Sequence, residues 1–243
     1  MAGITKRTKI VATLGPACST REIIEEMIHC GVNVFRINFS HATYDDVREK
    51  VTIIREINEQ QNFHVAILAD LQGPKLRVGK MGEKVKLRVG DSFTFTTKKC
   101  IGSAEKAYMT YKRFPKDVKV GEHILVDDGK LLFEVTGTDS ISTVTTKVLR
   151  GGKLKSKKGV NLPNTNISLP ALTKKDIEDV QFAIELQVDW IALSFVRTPE
   201  DLIQIGKFIK ENAPHKIPVI AKIEKPEAVA NIDRITPHCD GLM

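Results

Sequence analysis

The chain has 243 residues, of which 42% are hydrophobic and 6% aromatic, and it carries 37 Lys and Arg against 30 Asp and Glu for a net charge of +7. That length and apolar content suit one large α/β domain or two smaller ones. The basic residues are thinly spread outside one cluster, GGKLKSKKG (151–159), and aromatics are scarce, so the surplus is read as serving solubility and small anionic substrates, with no nucleic acid as partner. Cys18, Cys30, Cys100 and Cys239 lie far apart, without a CxxC or a His at metal spacing. No apolar run approaches membrane-spanning length, and the N-terminus lacks the apolar core of a signal peptide. The expectation is a cytoplasmic chain with free thiols and no membrane contact.

Residues 6–71 alternate apolar strands with amphipathic helices. TKIVATL (8–14) is rich in β-branched residues, Gly15-Pro16 breaks it, and Ser19 or Thr20 can cap a helix that carries Ile23, Ile24, Met27 and Ile28 on one face. The strand 32–38 follows, then a helix with Val47, Val51, Ile54 and Ile57 on one side, then the strand 64–69. These strands are apolar nearly throughout, as in a parallel sheet covered on both faces. From about residue 75 to 169 the helical period gives way to short alternating segments, among them SFTFTT, HILV, KLLFEV and STVTTKVL, with Asp127-Asp128-Gly129 as the clearest hairpin signal. This block reads as a small all-β barrel inserted after the third strand.

After Pro170 the α/β rhythm resumes: Thr173 caps a helix, with Asp176 completing a near capping box, and the segments DWIALSF, PEDLIQIGKFIKEN, IPVIAKI and KPEAVANIDRI follow. The organisation expected is a first part of a catalytic barrel over 1–74, the inserted β domain over 75–169, and the second part of the barrel over 170–243. DGLM reads as the start of a sixth strand, whereas a (β/α)₈ TIM barrel needs eight, so a truncated chain is expected.

Several apolar strands end in polar groups. Arg36, Asn38 and Ser40 alternate along VNVFRINFS, HVAILAD stops at Asp70, WIALS stops at Ser194, and VIAKIE carries Lys222 and Glu224 two residues apart. Alternation sends such side chains to one face, and strand ends are where open α/β folds and barrels place their chemistry. A carboxylate at Glu224 can ligate Mg²⁺, the ammonium of Lys222 can meet a phosphoryl or enolate oxygen, and the Arg36 guanidinium suits phosphate. Ser194 has no G-x-S-x-G elbow and is read as a binding group. Neither a P-loop nor a G-x-G-x-x-G run is present.

The segments RTKIVATLGPA, NVFRINFSH, ADLQGPKLR, SKKGVNLP, WIALSFVR and AKIEKPEA together resemble the pyruvate kinase family across the whole chain. The resemblance implies a TIM barrel interrupted after strand three by a mobile β-barrel lid, a homotetrameric parent, and transfer of phosphate from phosphoenolpyruvate to ADP, giving pyruvate and ATP with Mg²⁺ or Mn²⁺. It implies that Arg36 and Lys222 are catalytic and that Glu224 is the metal ligand. His41, Arg77 and Lys158 would contact nucleotide or phosphate, and Asn38, Ser40, Asp70 and the carbonyl of Leu71 would form a monovalent-cation site. Lys75 resembles the branch in which an ammonium replaces K⁺, so K⁺ is not expected to be required. Little turnover is expected from these 243 residues alone. The alternatives are a metal-dependent aldolase or lyase barrel acting on pyruvate or phosphoenolpyruvate, and a non-catalytic fragment.

Overall fold

A computed structural model of the chain describes residues 8–40, 42–83 and 85–243. In chain order the elements are β1 (Val11–Thr13), α1 (Arg21–His29), β2 (Val34–Asn38), α2 (Tyr44–Gln61) and β3 (Ala66–Asp70). Then come β4 (Lys86–Leu87), β5 (Ser92–Thr96), β6 (Lys106–Tyr108), α3 (Phe114–Asp117), β7 (His123–Val126), β8 (Leu131–Thr138), β9 (Thr143–Arg150), β10 (Gly152–Lys153) and β11 (Val160–Asn161). The chain finishes with α4 (Lys174–Glu185), β12 (Trp190–Leu193), α5 (Pro199–Asn212), β13 (Val219–Ala221), α6 (Pro226–Ala230), α7 (Ile232–Ile235) and β14 (Gly241–Leu242). Two compact units result, one from Pro170–Met243 with the described residues up to Pro74, the other from Lys75–Leu169. Among the described residues no helix is long and apolar enough to cross a membrane.

The first unit is α/β. Its strands are parallel in the order β1-β2-β3-β12-β13-β14, six of the eight that a (β/α)₈ barrel needs. Helices bury most of the stripes that their periodicity announces: Ile24 and Ile28 from α1, where Met27 is partly buried and Ile23 is exposed, Val47, Val51, Ile54 and Ile57 from α2, and Leu202, Ile205 and Ile209 from α5. They pack with Phe35, Ile37, Ile67, Ile191 and Leu193 of the strands into one core, and burial of such side chains stabilises a fold by roughly 1.5–3 kcal/mol each. The capping box at α4 forms as expected. Thr173 Oγ1 accepts from the Asp176 backbone N–H at 3.2 Å, and Asp176 Oδ2 accepts from the Thr173 backbone N–H at 2.9 Å. Its other oxygen, Oδ1, accepts from the Gly73 backbone N–H at 3.0 Å, so one fully buried carboxylate joins the turn after β3 to the start of α4. The sequence predicts one helix over KPEAVANIDRI, but Asn231 leaves helical geometry (φ −103°, ψ 11°) and splits it into α6 and α7.

The second unit carries a six-stranded sheet, β11-β7-β8-β9-β5-β6, antiparallel except for the β5–β6 pair, and a short β10-β4 pair. Its separate core is built on Phe93, Phe95, Phe114 and Phe133, whose rings meet edge-on or tilted at 5.1–6.0 Å between centroids. The β7–β8 hairpin turns where Asp-Asp-Gly predicts: Asp127 and Asp128 both sit at φ 55° and Gly129 at φ 81°, the left-handed geometry that twisted two-stranded turns require. At the end of the unit, Ser168 donates from its backbone N–H and its hydroxyl to Asp117 at 2.9 and 2.6 Å, while the Tyr111 hydroxyl donates to the same carboxylate.

Burial, and then the hydrogen bond to Asp117, push the Tyr111 hydroxyl up to about 12 from an ordinary 10.0. The folded state therefore prefers the neutral phenol. That stabilisation is whole below pH 10 and is lost as pH climbs towards about 12. Tyr111→Phe should flatten the loss of unfolding free energy between pH 9.5 and 11.5, by urea titration, by roughly the contribution of one shifted group. An identical slope in both proteins would contradict it.

Candidate active site

The parallel sheet of the first unit delivers polar side chains from four adjacent strands to the carboxyl ends of those strands. Register sets the placement: Asn38 pairs with Asp70 across β2 and β3, Asp70 with Ala192 across β3 and β12, and Leu193 with Ala221 across β12 and β13. Beyond β13 the ladder continues, since the Lys222 backbone N–H donates to the Leu193 carbonyl at 3.0 Å and that of Ile223 to the Met243 carbonyl at 2.8 Å. Ser194 and Lys222 are thereby set side by side.

Asp70 lies at the centre, only 1% exposed. Its Oδ2 accepts from Arg36 Nε at 2.7 Å and lies against Arg36 Nη2, while Lys222 Nζ approaches Oδ1 at 3.1 Å. A buried carboxylate with two cations is the arrangement that compensates desolvation, because removing either partner strands a charge. Arg36 Nη1 also donates to Thr13 Oγ1 at 2.9 Å, which orients the guanidinium plane and, among the described residues, leaves N–H groups on both terminal nitrogens uncommitted. Lys222 is held by two further oxygens: its Nζ donates to Ser194 Oγ at 2.8 Å and lies 3.3 Å from Glu224 Oε1. Ser194 in turn donates to the Leu71 carbonyl at 2.7 Å. The Glu224 side chain, 34% exposed, accepts from the Phe195 backbone N–H at 3.0 Å through Oε2. Next to it, burial pushes the Lys225 ammonium below its ordinary range, with Arg197 adding to the effect and Glu227 and Glu224 opposing it.

Arg36, Asp70, Ser194, Lys222 and Glu224 thus form one connected cluster at one end of the sheet. Asn38 shares that end, but Ser40 does not continue the strand. β2 stops at Asn38, whose Oδ1 accepts from the Ser40 backbone N–H at 2.9 Å, so a side-chain turn replaces the alternation that the sequence suggests. His41 lies outside the described residues. Lys75, Arg77 and Lys158 belong to the second unit. There Arg77 Nη1 donates to the Lys157 carbonyl at 3.0 Å, and Lys158 Nζ pairs with Asp127 at 2.8 Å; that hydrogen bond holds the Asp127 carboxyl below the usual range.

Three contributors escape sequence reading: Thr13, which fixes Arg36; the Ser194–Lys222 hydrogen bond; and Phe195, whose backbone sits at φ 57° and turns its N–H onto Glu224. A bulky residue in left-handed geometry is an outlier, and such strain gathers at functional sites. Gly73 (φ +64°) makes room for that bend, since a Cβ there would meet Phe195 Cδ2 at 2.8 Å and Ser194 Cβ at 3.1 Å. Of the signals that could have found these, only Gly73-Pro74 is visible in the sequence.

For a divalent metal the cluster offers one carboxylate within reach of solvent, Glu224, since Asp70 is committed to two cations. Among the described residues no group of three or more His, Cys, Asp or Glu is placed to hold a metal ion. That donor set fits an ion such as Mg²⁺ that keeps several waters and takes its other ligands from a phosphorylated substrate.

Gly73→Ala should destabilise the fold by about 1–3 kcal/mol in denaturant titration, because it adds strain and a steric clash together. An unchanged midpoint would show that Phe195 and Ser194 yield without cost.

The pyruvate kinase barrel domain family matches residues 5–243. Relatives include a pyruvate kinase of Mycobacterium intracellulare, 40% identical over 249 residues that cover 99% of this chain and 51% of that protein. A pyruvate kinase of Clostridium perfringens is 41% identical over 98% of this chain and 50% of its own, and pyruvate kinase 2 of Synechocystis sp. is 41% identical over 99% and 41%. The chain spans about half the length of the curated relatives it matches, or somewhat less.

Proposed function

The chain belongs to the pyruvate kinase family, and on that premise we propose that it supplies the phosphoenolpyruvate end of a site that moves a phosphoryl group to ADP, giving pyruvate and ATP. The observation that carries this reading is the convergence of Arg36, from β2, and Lys222, from just beyond β13, on the buried carboxylate of Asp70, with Glu224 against the same Lys222 ammonium. Phosphoryl transfer asks a protein mainly for positioning and for fixed positive charge where negative charge develops. Arg36 has its plane set by Asp70 and Thr13 and presents its uncommitted N–H groups to the substrate phosphoryl. Lys222 is preorganised by three side-chain oxygens, ready to meet the charge that builds on the migrating group and on the enolate.

Glu224 is the residue that would hold Mg²⁺ or Mn²⁺, which supplies electrostatic stabilisation of the phosphoryl and enolate oxygens. The same Glu224 carboxylate that would hold the metal lies 3.3 Å from Lys222 Nζ, so this one side chain would serve both the ion and the ammonium. Ser194 keeps that ammonium aimed. Arg77 and Lys158, with His41, are proposed as contacts to nucleotide or phosphate, with residues 75–169 acting as the lid. The aldolase or lyase alternative has no comparable use for a lysine-bearing lid.

Three of the four groups proposed for a monovalent cation already have protein partners: Asn38 Oδ1 accepts from Ser40, the Leu71 carbonyl from Ser194, and Asp70 meets two cations. With Lys75 nearby in sequence, this supports a site that works without K⁺.

The test is titration of the chain with Mn²⁺, followed by water-proton relaxation, with and without phosphoenolpyruvate. The expected result is Mn²⁺ affinity raised by phosphoenolpyruvate, lost in Glu224→Gln, and phosphoenolpyruvate binding weakened at least about tenfold in Arg36→Ala. Replacing K⁺ with Na⁺ should change the affinities by less than about twofold, because a fixed ammonium and K⁺ repel in one small space. Mn²⁺ binding indifferent to both phosphoenolpyruvate and Glu224 would overturn the assignment, and a large K⁺ requirement would remove its second part.

A further inference from the structure

The second unit contains a pocket of about 460 Å³ of which the phosphotransfer reading uses only Arg77. Its apolar surface comes chiefly from the Tyr108 ring and from Ile101, which is left 73% exposed. Its rim is formed by Arg77, Lys80, Lys99 and Lys157, and among the described residues no carboxylate lines it. None of these four cations forms an ion pair among the described residues, whereas elsewhere in the same unit Lys130 and Lys158 share Asp127 and Arg113 faces Asp117. A further ammonium, Lys112, stands 5.4 Å from the centre of the Tyr108 ring.

Cations held around a concave apolar surface with no counter-charge among the described residues repel one another, and the potential they create attracts an anion to that surface. A volume of this size, with apolar walls and a few convergent polar groups, matches small-molecule sites. We infer that this cavity binds a small aromatic anion, its ring against Tyr108 and Ile101 and its phosphate or carboxylate at the lysine rim. A bare inorganic anion would forgo the apolar contact, and a neutral aromatic would forgo the rim. Arg77 is shared with the proposed nucleotide contact, but Lys80, Lys99 and Ile101 take no part in that reading, so the two stand or fall separately.

The probe is phenyl phosphate, titrated into the isotopically labelled chain while backbone amide shifts are followed, with inorganic phosphate and benzyl alcohol as separate arms. The expected result is saturable shifts over residues 77–80, 99–101 and 108–110, with a dissociation constant below about 1 mM that rises with added salt. Lys99→Glu and Lys80→Glu should each weaken binding at least about fivefold, and Ile101→Asp more, whereas Lys153→Glu, at another exposed lysine of the unit, should leave it unchanged. Amide spectra of the variants that match the parent away from the cavity establish that each remains folded. No saturation by 10 mM (about the weakest binding of interest), equal affinity for inorganic phosphate, or equal loss in Lys153→Glu would overturn the inference.

Discussion

A carboxylate that is almost wholly removed from water cannot stand alone, and Asp70 is the group on which the first unit's polar cluster depends. Its two oxygens are compensated by a guanidinium from one neighbouring strand and an ammonium from beyond another. Each cation is then oriented by a hydroxyl, Arg36 by Thr13 and Lys222 by Ser194. The cluster is therefore organised before any substrate arrives, and organisation in advance is what electrostatic catalysis requires.

The backbone makes this possible. A parallel sheet with covered faces places the ends of consecutive strands together, so residues 34 or more positions apart in sequence meet without any long loop. The turn after β3 is fixed twice over, by the buried Asp176 carboxylate on Gly73 and by the packing of Gly73 against Phe195 and Ser194. That turn leads directly into the second unit, which has its own aromatic core and its own terminal fastening at Tyr111, Asp117 and Ser168.

Much of this is legible in the amino-acid sequence alone, for identifiable reasons. Period-2 and helical apolar patterns report burial, so β2, β3, α2 and α5 read correctly, and the Asp-Asp-Gly turn and the Thr173–Asp176 box carry their conformations in their side chains. Arg36, Asp70, Lys222 and Glu224 stand out because charged residues closing apolar strands are costly unless they are used. Other features have no local signal. Ser40 looks like a continuation of the strand until the Asn38 side chain turns the chain aside, and Asn231 breaks a helix whose periodicity runs on. Thr13 and Phe195 gain their roles only from strand register and from a left-handed residue, neither of which a single sequence exposes.

The central claim is that Asp70 and its two cations act as one unit. A double-mutant cycle on folding stability, pairing Asp70→Asn with Lys222→Met, tests it most directly. The account predicts a coupling of at least about 1 kcal/mol, since each single change leaves a charge or an amide buried without its partner. Additivity to within about 0.3–0.5 kcal/mol would mean that the groups are neighbours without being coupled, and would contradict it.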